Sequence, residues 1–323
     1  MKYIYITALI DFVISESLES PVEVKDGLYF TNNPGHTAAY LSTSSIVTVG
    51  MLEARLLTGS TSVLYRFDNQ SDLATAHVEV INFLREVQAF LTATWLVEDN
   101  SANCELAFAF CQDTEHAHSN SLALHYNLHS GAKRVMSVDK ARLLEICVLH
   151  RENFSGIREQ DAPTRTNFRK STGRLSRAML FLQQARSADD IGQKIANYCS
   201  FFEALLSTSS VELSHQLAER VAFFLCDKPT ERLTLFKQIK RAYGVRSKIV
   251  HGDVLAQGAI DSLVDVSSIC DQTARKLVCK IIASESLTKL FDQSGAEVLD
   301  SYMMNLIFGV TPPADIGAAL TEA

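Results

Sequence analysis

The sequence lacks any long apolar run. No segment reaches the roughly 18 consecutive apolar residues that a membrane-spanning helix requires. The apolar start at residues 3–14 contains Asp11 and has no small-residue cleavage site. We therefore interpret this start as a buried strand, and we expect a cytoplasmic protein with no membrane partner.

Several short motifs are also missing. Neither GxxxxGK(S/T) nor GxGxxG occurs, so the ordinary nucleotide-binding phosphate loops are excluded, and there is no GxSxG nucleophile elbow. A Ser-His-Asp arrangement stays open, because its members need not be close in sequence. The seven cysteines are odd in number and form no CxxC pair, so neither a disulfide framework nor a zinc site is indicated. We expect reduced core cysteines, no metal and no cofactor.

The residues that are present indicate a folded protein with unevenly placed charge. With 47% hydrophobic and 21% charged residues, the 323-residue chain is long enough for two ordinary domains. The formal net charge is −7, yet residues 165–186 contain six basic and no acidic residues, and residues 228–251 contain seven lysines and arginines against Glu231 alone. Such stretches are typical of a surface that meets a polyanion, although two solvated helix faces would look the same.

Local patterns predict a mixed N-terminal domain over residues 1–160. Alternating or apolar runs bounded by turn residues predict strands at residues 2–9, 22–30, 45–49, 62–67, 104–111 and 121–128. Apolar residues at helical spacing predict a long helix at residues 73–97 with Trp95 in the core, and Ser137 is expected to open a second helix, which ends near residue 150. The prediction is a small sheet packed on a helix, followed by a polar linker at residues 153–164.

After the linker, the pattern changes to helices only. They are predicted at residues 166–185, 189–207, 211–226, 230–243, 260–284 and 298–308. Ser209 and Glu212 have the spacing of a capping box, and Pro229 suits the start of a helix. The predicted fold is therefore α+β: a mixed N-terminal domain with a small sheet and a long helix, an all-helical bundle at residues 164–310, and a C-terminal tail at residues 311–323.

One segment of the helical half combines glycines with charged side chains. It reads Tyr243-Gly244-Val245-Arg246-Ser247-Lys248-Ile249-Val250-His251-Gly252-Asp253. We expect Gly244 to weaken the preceding helix and Gly252 to stop the turn that follows, so that Arg246 and His251 lie near the end of an element. Five residues on an ideal helix separate two side chains by about 140°. Bringing Arg246 and His251 together therefore requires a distorted turn or a second copy of the segment.

This segment resembles the HEPN superfamily, in particular its ApeA-like branch. The likeness rests on the Arg-x4-His spacing, the string Arg-Ser-Lys-Ile-Val-His-Gly at residues 246–252, and the upstream Phe-Phe-Glu-Ala-Leu-Leu at residues 201–206. It covers about 145 residues, 164–310, and leaves the first 160 unassigned. The resemblance implies a helical HEPN bundle that acts as a metal-independent endoribonuclease in a homodimer, with RNA as its substrate.

The same resemblance implies a biological role. ApeA-like proteins suggest antiphage defence or toxin-like growth arrest. Residues 1–160 would then form a sensing or regulatory domain, with a phage-derived trigger or an antitoxin as its partner. This role is an analogy with the family and does not come from the residues of that domain.

The residues of the motif suit RNA cleavage. Attack by the 2′-hydroxyl of RNA needs a base, an acid and positive charge on the phosphate. His251 can serve as base or acid, because histidine changes protonation near neutrality, and Arg246 offers a charged fork that stabilises the phosphorane. Each motif has one histidine whereas the reaction has two proton-transfer roles, so a symmetric pair of motifs would supply both. Ser247 stands where many HEPN ribonucleases carry Asn, Asp or His, and it can still orient a phosphate or the histidine.

Neighbouring residues are given supporting roles. Glu203 is expected to bind Arg246 and hold its fork in place. Lys248 either contacts phosphate or is simply an exposed charge, and Tyr243 supports the site. The motif variant with a modifiable tyrosine two residues after the histidine is absent, because Asp253 occupies that position.

A competing interpretation gives the motif no chemistry. Arg246 and His251 would form a structural pair, in which the arginine bridges helix carboxylates and the histidine caps the turn. The domain would then be a catalytically inactive HEPN module for dimerisation or RNA binding, with recognition by the N-terminal domain.

Two other groups of polar residues could form a metal site or a catalytic pair, but each also has a simple structural interpretation. Four histidines could suggest a metal site: His116, His118, His125 and His129. Residues 115–120 have the composition of a polar hairpin loop, where exposed histidines are common, so we favour that interpretation. The acidic pair at residues 98–99 is interpreted as a helix end rather than as an acid and base.

Overall fold

The computed structural model describes residues 1–41, 49–59, 62–69, 73–122, 125–154, 172–293 and 295–310. An antiparallel sheet with helices comes first along the chain and is followed by helices alone, which confirms the predicted α+β class. The chain divides into two compact units. Unit 1 comprises Met1–Leu128 and Lys133–Ala162, and unit 2 comprises His129–Ala132 and Pro163–Ala323.

Unit 1 is built on a six-stranded antiparallel sheet. The strands of unit 1 among the described residues are β1 (Lys2–Ala8), β2 (Phe12–Ile14), β3 (Val22–Lys25), β4 (Leu28–Thr31), β5 (Val63–Asn69), β6 (Leu106–Cys111), β7 (Ala117–Ser121) and β8 (Met136–Val138). The order in space is β3-β4-β5-β1-β6-β7, and β2 and β8 form a separate parallel pair. Because β1 is central, Ile4 pairs with both Phe67 and Phe110. Burial on both faces explains the nearly continuous apolar run of β1.

The helices of unit 1 are α1 (Gly35–Ala38), α2 (Met51–Thr58), α3 (Leu73–Val97) and α4 (Lys140–Asn153). Helix α3 has the predicted bounds, and Trp95 is fully buried, as expected. The buried side chains of α3 recur at helical spacing and join the sheet in one core: Val80, Phe83, Leu84, Val87, Phe90 and Leu91. The prediction of a sheet packed on a long helix is therefore confirmed.

The single strand predicted at residues 22–30 is wrong. Two strands, β3 and β4, pair antiparallel there, and the turn between them contains Asp26 and Gly27, with φ values of 35° and 80°. An Asp-Gly pair tolerates the positive φ of a tight hairpin turn, so the turn was encoded locally and was overlooked. The strand predicted at residues 45–49 lies outside the described residues, apart from its last residue.

The strand predicted at residues 121–128 is also wrong. Strand β7 lies earlier in the chain and pairs with β6, and no described residue from 122 to 128 is in a strand. The backbone at Tyr126 is held instead by Asn103, whose side chain accepts from its N–H (2.6 Å) and donates to its carbonyl (3.0 Å). Since β7 is an edge strand, its polar residues remain compatible with the sheet. The loop expected at residues 115–120 is therefore largely strand.

The helix predicted to open at Ser137 begins later. Ser137 lies in β8 and pairs with Val13 of β2, so its backbone is in a strand. Asp139 is the N-cap of α4, and its carboxylate accepts the Arg142 N–H at 2.7 Å. The correct cap is thus two residues beyond the predicted one.

Unit 2 is helical throughout its regular elements. These are α5 (Arg174–Ser187), α6 (Ile191–Leu206), α7 (Leu213–Leu225), α8 (Pro229–His251), α9 (Gln257–Ile260), α10 (Leu263–Ile282), α11 (Glu285–Gln293) and α12 (Ala296–Ile307). The helices predicted at residues 189–207, 211–226, 260–284 and 298–308 are confirmed to within three residues at each end. Helix α11 was not predicted.

Within the described residues, two helix starts in unit 2 differ from the prediction. Residues 166–171 of the first predicted helix, like residues 155–164 of the predicted linker, lie outside the described residues, and α5 begins only after Gly173, its N-cap. The capping box of Ser209 and Glu212 is not formed, because Glu212 has a left-handed backbone with φ of 49°. The Ser209 hydroxyl instead accepts the Val211 N–H at 3.1 Å.

Helix α8 was predicted to end at residue 243, and this is wrong. The helix continues through Gly244 to His251. An interior glycine costs about 0.5–1 kcal/mol relative to alanine. Burial of Ile239, Ala242 and Val245 on one side of α8 outweighs that cost. Gly252 stops the helix as predicted, with φ of 73°.

Two expectations about composition can be checked against the described residues. No helix among them is long and apolar enough to cross a lipid bilayer. All seven cysteines are free thiols, and five of them are buried.

Candidate functional site

The motif lies at the C-terminal end of α8. Helix α8 is uninterrupted over 23 residues, which rules out a distorted turn between Arg246 and His251. Ile249 fixes the end of α8 against α6, where a Cβ placed on Gly192 would come within 2.7 Å of the Ile249 Cδ1 atom. The C-terminal end of α8 is therefore held closely against α6.

Arg246 is held by a carboxylate of the neighbouring helix. Its Nη2 atom lies 3.2 Å from Oε1 and 3.4 Å from Oε2 of Glu203 on α6. The guanidinium carbon lies 5.2 Å from the centre of the Tyr243 ring. The Arg246 Nε atom is buried and has no hydrogen-bond partner among the described residues. Glu203 thus occupies the orienting position expected for it, while part of the guanidinium keeps unused donors.

Tyr243 is a protonated neighbour of the same carboxylate. Burial, followed by a hydrogen bond to Glu203 and by the negative charge of Glu203, raises the pKa of Tyr243 to about 12. A neutral phenol can donate to Glu203, whereas a phenolate would repel it. Tyr243 and Arg246 therefore both contact the side chain of Glu203.

His251 lies on a different side of α8. The residue is exposed, and its side chain forms no hydrogen bond or ion pair with the described part of the chain. Backbone groups close the helix: the Gly252 N–H donates to the Ile249 carbonyl (3.2 Å) and the Asp253 N–H to the Lys248 carbonyl (2.9 Å). His251 therefore does not cap this turn, and with the helix unbroken it lies about 140° around the axis from Arg246. One chain does not bring the two residues together.

The two remaining motif residues have little contact with their surroundings. Ser247 is half-buried and Lys248 is exposed. Neither side chain makes a hydrogen bond or ion pair with the described residues. Both are positioned by the helix alone.

Arg246 lines an open groove of about 720 Å³ that lies entirely within unit 2. The groove is bounded by residues of α5, α6, the α6–α7 loop, the start of α7 and α8. Two further arginines, Arg174 and Arg177 of α5, line it. The basic stretch at residues 165–186 was a signal for these arginines, but their proximity to Arg246 could not be read from the sequence.

The groove has a positive surplus of charge. Three arginines and one carboxylate, Glu203, line it. Burial, followed by the charges of Arg177 and Arg220, lowers the pKa of Arg174. That direction is the response of a cation placed beside other cations. The groove is therefore suited to an anion.

The histidines considered as metal ligands are not gathered into a site. His118 on β7 lies 6.0 Å, ring centre to ring centre, from His77, and burial followed by the charges of His77 and His116 lowers its pKa. His125 is near Glu105 (3.9 Å), and His129 is assigned to unit 2. Among the described residues, no group of three or more histidine, cysteine, aspartate or glutamate side chains could hold a metal ion.

No protein-family model, curated protein or solved structure matches this chain. The resemblance of residues 164–310 to HEPN proteins therefore stays a prediction from the sequence. What the site can do depends on the chemistry of Arg246, His251 and the groove.

Proposed function

We propose that this protein is a metal-independent endoribonuclease that acts as a homodimer. One observation carries the proposal: a single unbroken helix presents Arg246 in a basic groove and His251 in solvent about 140° away. The two residues have the chemistry that RNA cleavage needs, yet one chain cannot apply both to one phosphate. A second copy of α8 supplies what the first cannot reach.

The reaction uses the RNA itself as nucleophile. A histidine acting as base takes the 2′-hydroxyl proton, the 2′-oxygen attacks phosphorus, and the bond from phosphorus to the 5′-oxygen breaks. A histidine acting as acid gives a proton to the departing 5′-oxygen, which leaves a 2′,3′-cyclic phosphate and a 5′-hydroxyl. His251 from each copy takes one of these roles. Glu203 orients Arg246, which stabilises the charge on the phosphorane. Ser247 and Lys248 lie at the same end of α8 and can contact the phosphate.

Exposed apolar side chains around His251 support a dimer. They are Val250, Val254, Ile260 and Val264, with exposed fractions of 56%, 90%, 45% and 42%. Val250 lies one turn beyond Arg246 on the same side of α8. Apolar residues clustered along one part of a chain are typical of a surface that a partner covers. A second copy packed over Val250 would also bring its own motif close to the first.

The biological setting follows from the family resemblance. The protein would be cytoplasmic, with RNA as its substrate, and would act in antiphage defence or toxin-like growth arrest. Unit 1 would sense a phage-derived trigger or contact an antitoxin partner. The groove arginines would attract RNA whatever the signal that releases activity.

The second candidate is an inactive HEPN module for dimerisation or RNA binding. The ion pair between Arg246 and Glu203 favours it, because an arginine engaged with a carboxylate also has a structural role. In that case the groove binds RNA and no bond is broken. Recognition would be the task of unit 1.

The deciding experiment is cleavage of total cellular RNA in EDTA by the purified protein, with analysis of the product 3′ ends. Arg246→Ala and His251→Ala should each lower the rate at least about 100-fold, and wild-type products should end in 2′,3′-cyclic phosphates. Arg241→Ala is the matched control, since it removes the same charge from an exposed position of α8 outside the groove. Equal loss in all three variants, or linear 3′-phosphates as the first products, would contradict the mechanism.

A further inference from the structure

The wall of the groove formed by α5 is a regular stripe. Arg174, Arg177 and Phe181 all line the groove, and their spacing of three and four residues places them on one side of the helix. At about 1.5 Å per residue, the stripe is about 10 Å long. Two cations and an aromatic ring thus follow one another along a single edge.

The two cations of this stripe donate to backbone carbonyls, and Asp292 of α11, which interacts electrostatically with Arg177, does not line the groove. Nη1 of Arg174 donates to the Ser207 carbonyl (2.7 Å), and Nη1 of Arg177 donates to the Thr172 carbonyl (2.8 Å). Among the described residues, neither guanidinium forms an ion pair. A guanidinium has five N–H donors in a fixed fork, so each keeps donors for a ligand.

A nearby arginine provides the contrast. Arg220 of α7 bonds the Leu206 carbonyl and also forms a short ion pair with Asp300 of α12. It does not line the groove. The arginine with an ion pair therefore does not line the groove, whereas the two arginines that form none among the described residues do.

The opposite wall is made of small and polar residues. Helix α6 contributes Ser200, Glu203 and Ala204, and its C-cap and the following loop add Ser207, Thr208, Ser209 and Ser210. The hydroxyls of Ser200, Ser207 and Thr208 already donate within the protein. Those of Ser209 and Ser210 can donate to phosphate oxygens, and the small Ala204 side chain leaves space beside them. The groove is open to solvent, so a ligand can reach it from outside.

We propose that this groove holds a segment of single-stranded RNA, with Arg174 and Arg177 on backbone phosphates and a base stacked on Phe181. The inference rests on the proposed function, since it names how the substrate of that site is held. Positive charge that tracks the backbone, together with an aromatic ring for stacking, is how proteins bind single strands without reading their sequence. Arg246, at the far wall, lies beside the phosphate that follows.

Binding can be measured apart from cleavage. The probe is a fluorescein-labelled 2′-O-methyl oligoribonucleotide, which has no free 2′-hydroxyl and stays intact, and the readout is fluorescence anisotropy over a series of salt concentrations. Arg177→Gln should weaken binding about tenfold and reduce the slope of log affinity against log salt by about 0.7. Phe181→Leu should weaken binding about fivefold.

Two further variants keep the test decisive. Arg241→Gln removes the same charge from an exposed part of α8, and binding should stay within about twofold of wild type because salt screens distant charges. Ala204→Trp fills the groove and keeps every charge, so it should weaken binding even if Arg177→Gln disturbs the fold. Equal losses for Arg177→Gln and Arg241→Gln, or wild-type affinity of Ala204→Trp, would overturn the assignment. Displacement of the oligonucleotide by adenosine monophosphate at the same phosphate concentration would overturn it as well, in favour of a mononucleotide site.

The experiments distinguish failure of the RNA-binding groove from failure of the ribonuclease proposal. If the groove variants bind like wild type while His251→Ala abolishes cleavage, the groove assignment is wrong and the ribonuclease stands. If the groove variants lose binding and the wild type cleaves nothing, the groove stands as the site of an RNA-binding module.

Discussion

An arginine in each unit is paired with glutamate beside a tyrosine ring, and the two differ in how fully their charge is compensated. Arg66 of β5 is 3% exposed, and its guanidinium lies 2.7 Å from Glu86 and 3.3 Å from Glu79. Its guanidinium carbon lies 5.4 Å from the Tyr5 ring centre. More negative than positive charge surrounds this core arginine.

Arg246 of α8 has the opposite balance. It is 22% exposed, Glu203 is its one carboxylate among the described residues, and Arg174 and Arg177 line the same groove. The arginine–glutamate pair therefore has a different role in each unit. Surplus carboxylates make Arg66 part of the core, whereas surplus arginines leave the groove around Arg246 able to take an anion.

The largest effect is expected from Arg66→Met. Removing the cation breaks the ion pair between Arg66 and the buried Glu86 carboxylate, so we expect the free energy of unfolding of unit 1 to fall by about 3–5 kcal/mol, measured by urea denaturation. The matched change in unit 2, Arg246→Met, breaks a partly exposed pair and should cost about 1 kcal/mol or less. Similar losses in the two variants would show that exposure and charge balance do not distinguish them.

The second-largest effect is expected from low pH, which should reduce the free energy of unfolding of unit 1. His150 is 1% exposed between the rings of Phe90 and Phe154, and both of its ring nitrogens lack hydrogen-bond partners among the described residues. Burial, followed by the charges of Lys25 and Arg151, lowers the pKa of His150 from 6.5 to about 4.

The sign of that effect follows from the lowered pKa. Below pH 6.5, His150 binds a proton in the unfolded chain but stays neutral in the folded protein. The contribution of neutral His150 to stability is therefore complete above pH 6.5 and is lost as the pH falls to about 4. The total loss is about 3 kcal/mol. Urea denaturation of unit 1 at a series of pH values should reveal it, and His150→Phe should flatten the curve between those limits. An unchanged slope in that variant would assign the acid sensitivity to other groups.

A smaller effect is expected on self-association. If a second copy covers the end of α8, Val250→Asp should raise the dimer dissociation constant at least about tenfold, measured by analytical ultracentrifugation. Val78→Asp is the matched control in unit 1, because Val78 and Val250 are equally exposed at 56%. Equal weakening by both, or a monomeric wild type, would contradict a dimer built on this surface.

The smallest effect concerns Gly244. A Cβ at this position meets no atom within 4 Å, and the residue lies inside α8. Gly244→Ala should therefore raise the free energy of unfolding by about 0.5–1 kcal/mol. Destabilisation would indicate that the helix needs flexibility at this position, as the sequence had suggested.

Local signals were sufficient for much of the fold. The bounds of α3 followed from apolar spacing over 25 residues. The stop at Gly252 was also predicted, although the helix before it was expected to end at residue 243. The hairpin turn at Asp26 and Gly27 was equally local and could have been predicted. The motif itself, with Arg246 and His251, was also visible in the sequence.

Tertiary contacts decided what local patterns left open. Polar β7 is a strand because β6 supplies its hydrogen bonds, and Gly244 stays helical because α8 packs its apolar side against the rest of unit 2. In both cases, partners distant in sequence outweigh a weak local preference of about 1 kcal/mol. The groove is the clearest instance. The sequence by itself supplied the arginines and their helices, but only the packing of α5, α6 and α8 placed Arg174 and Arg177 beside Arg246, because helix packing brings together side chains that are some 70 residues apart in the chain.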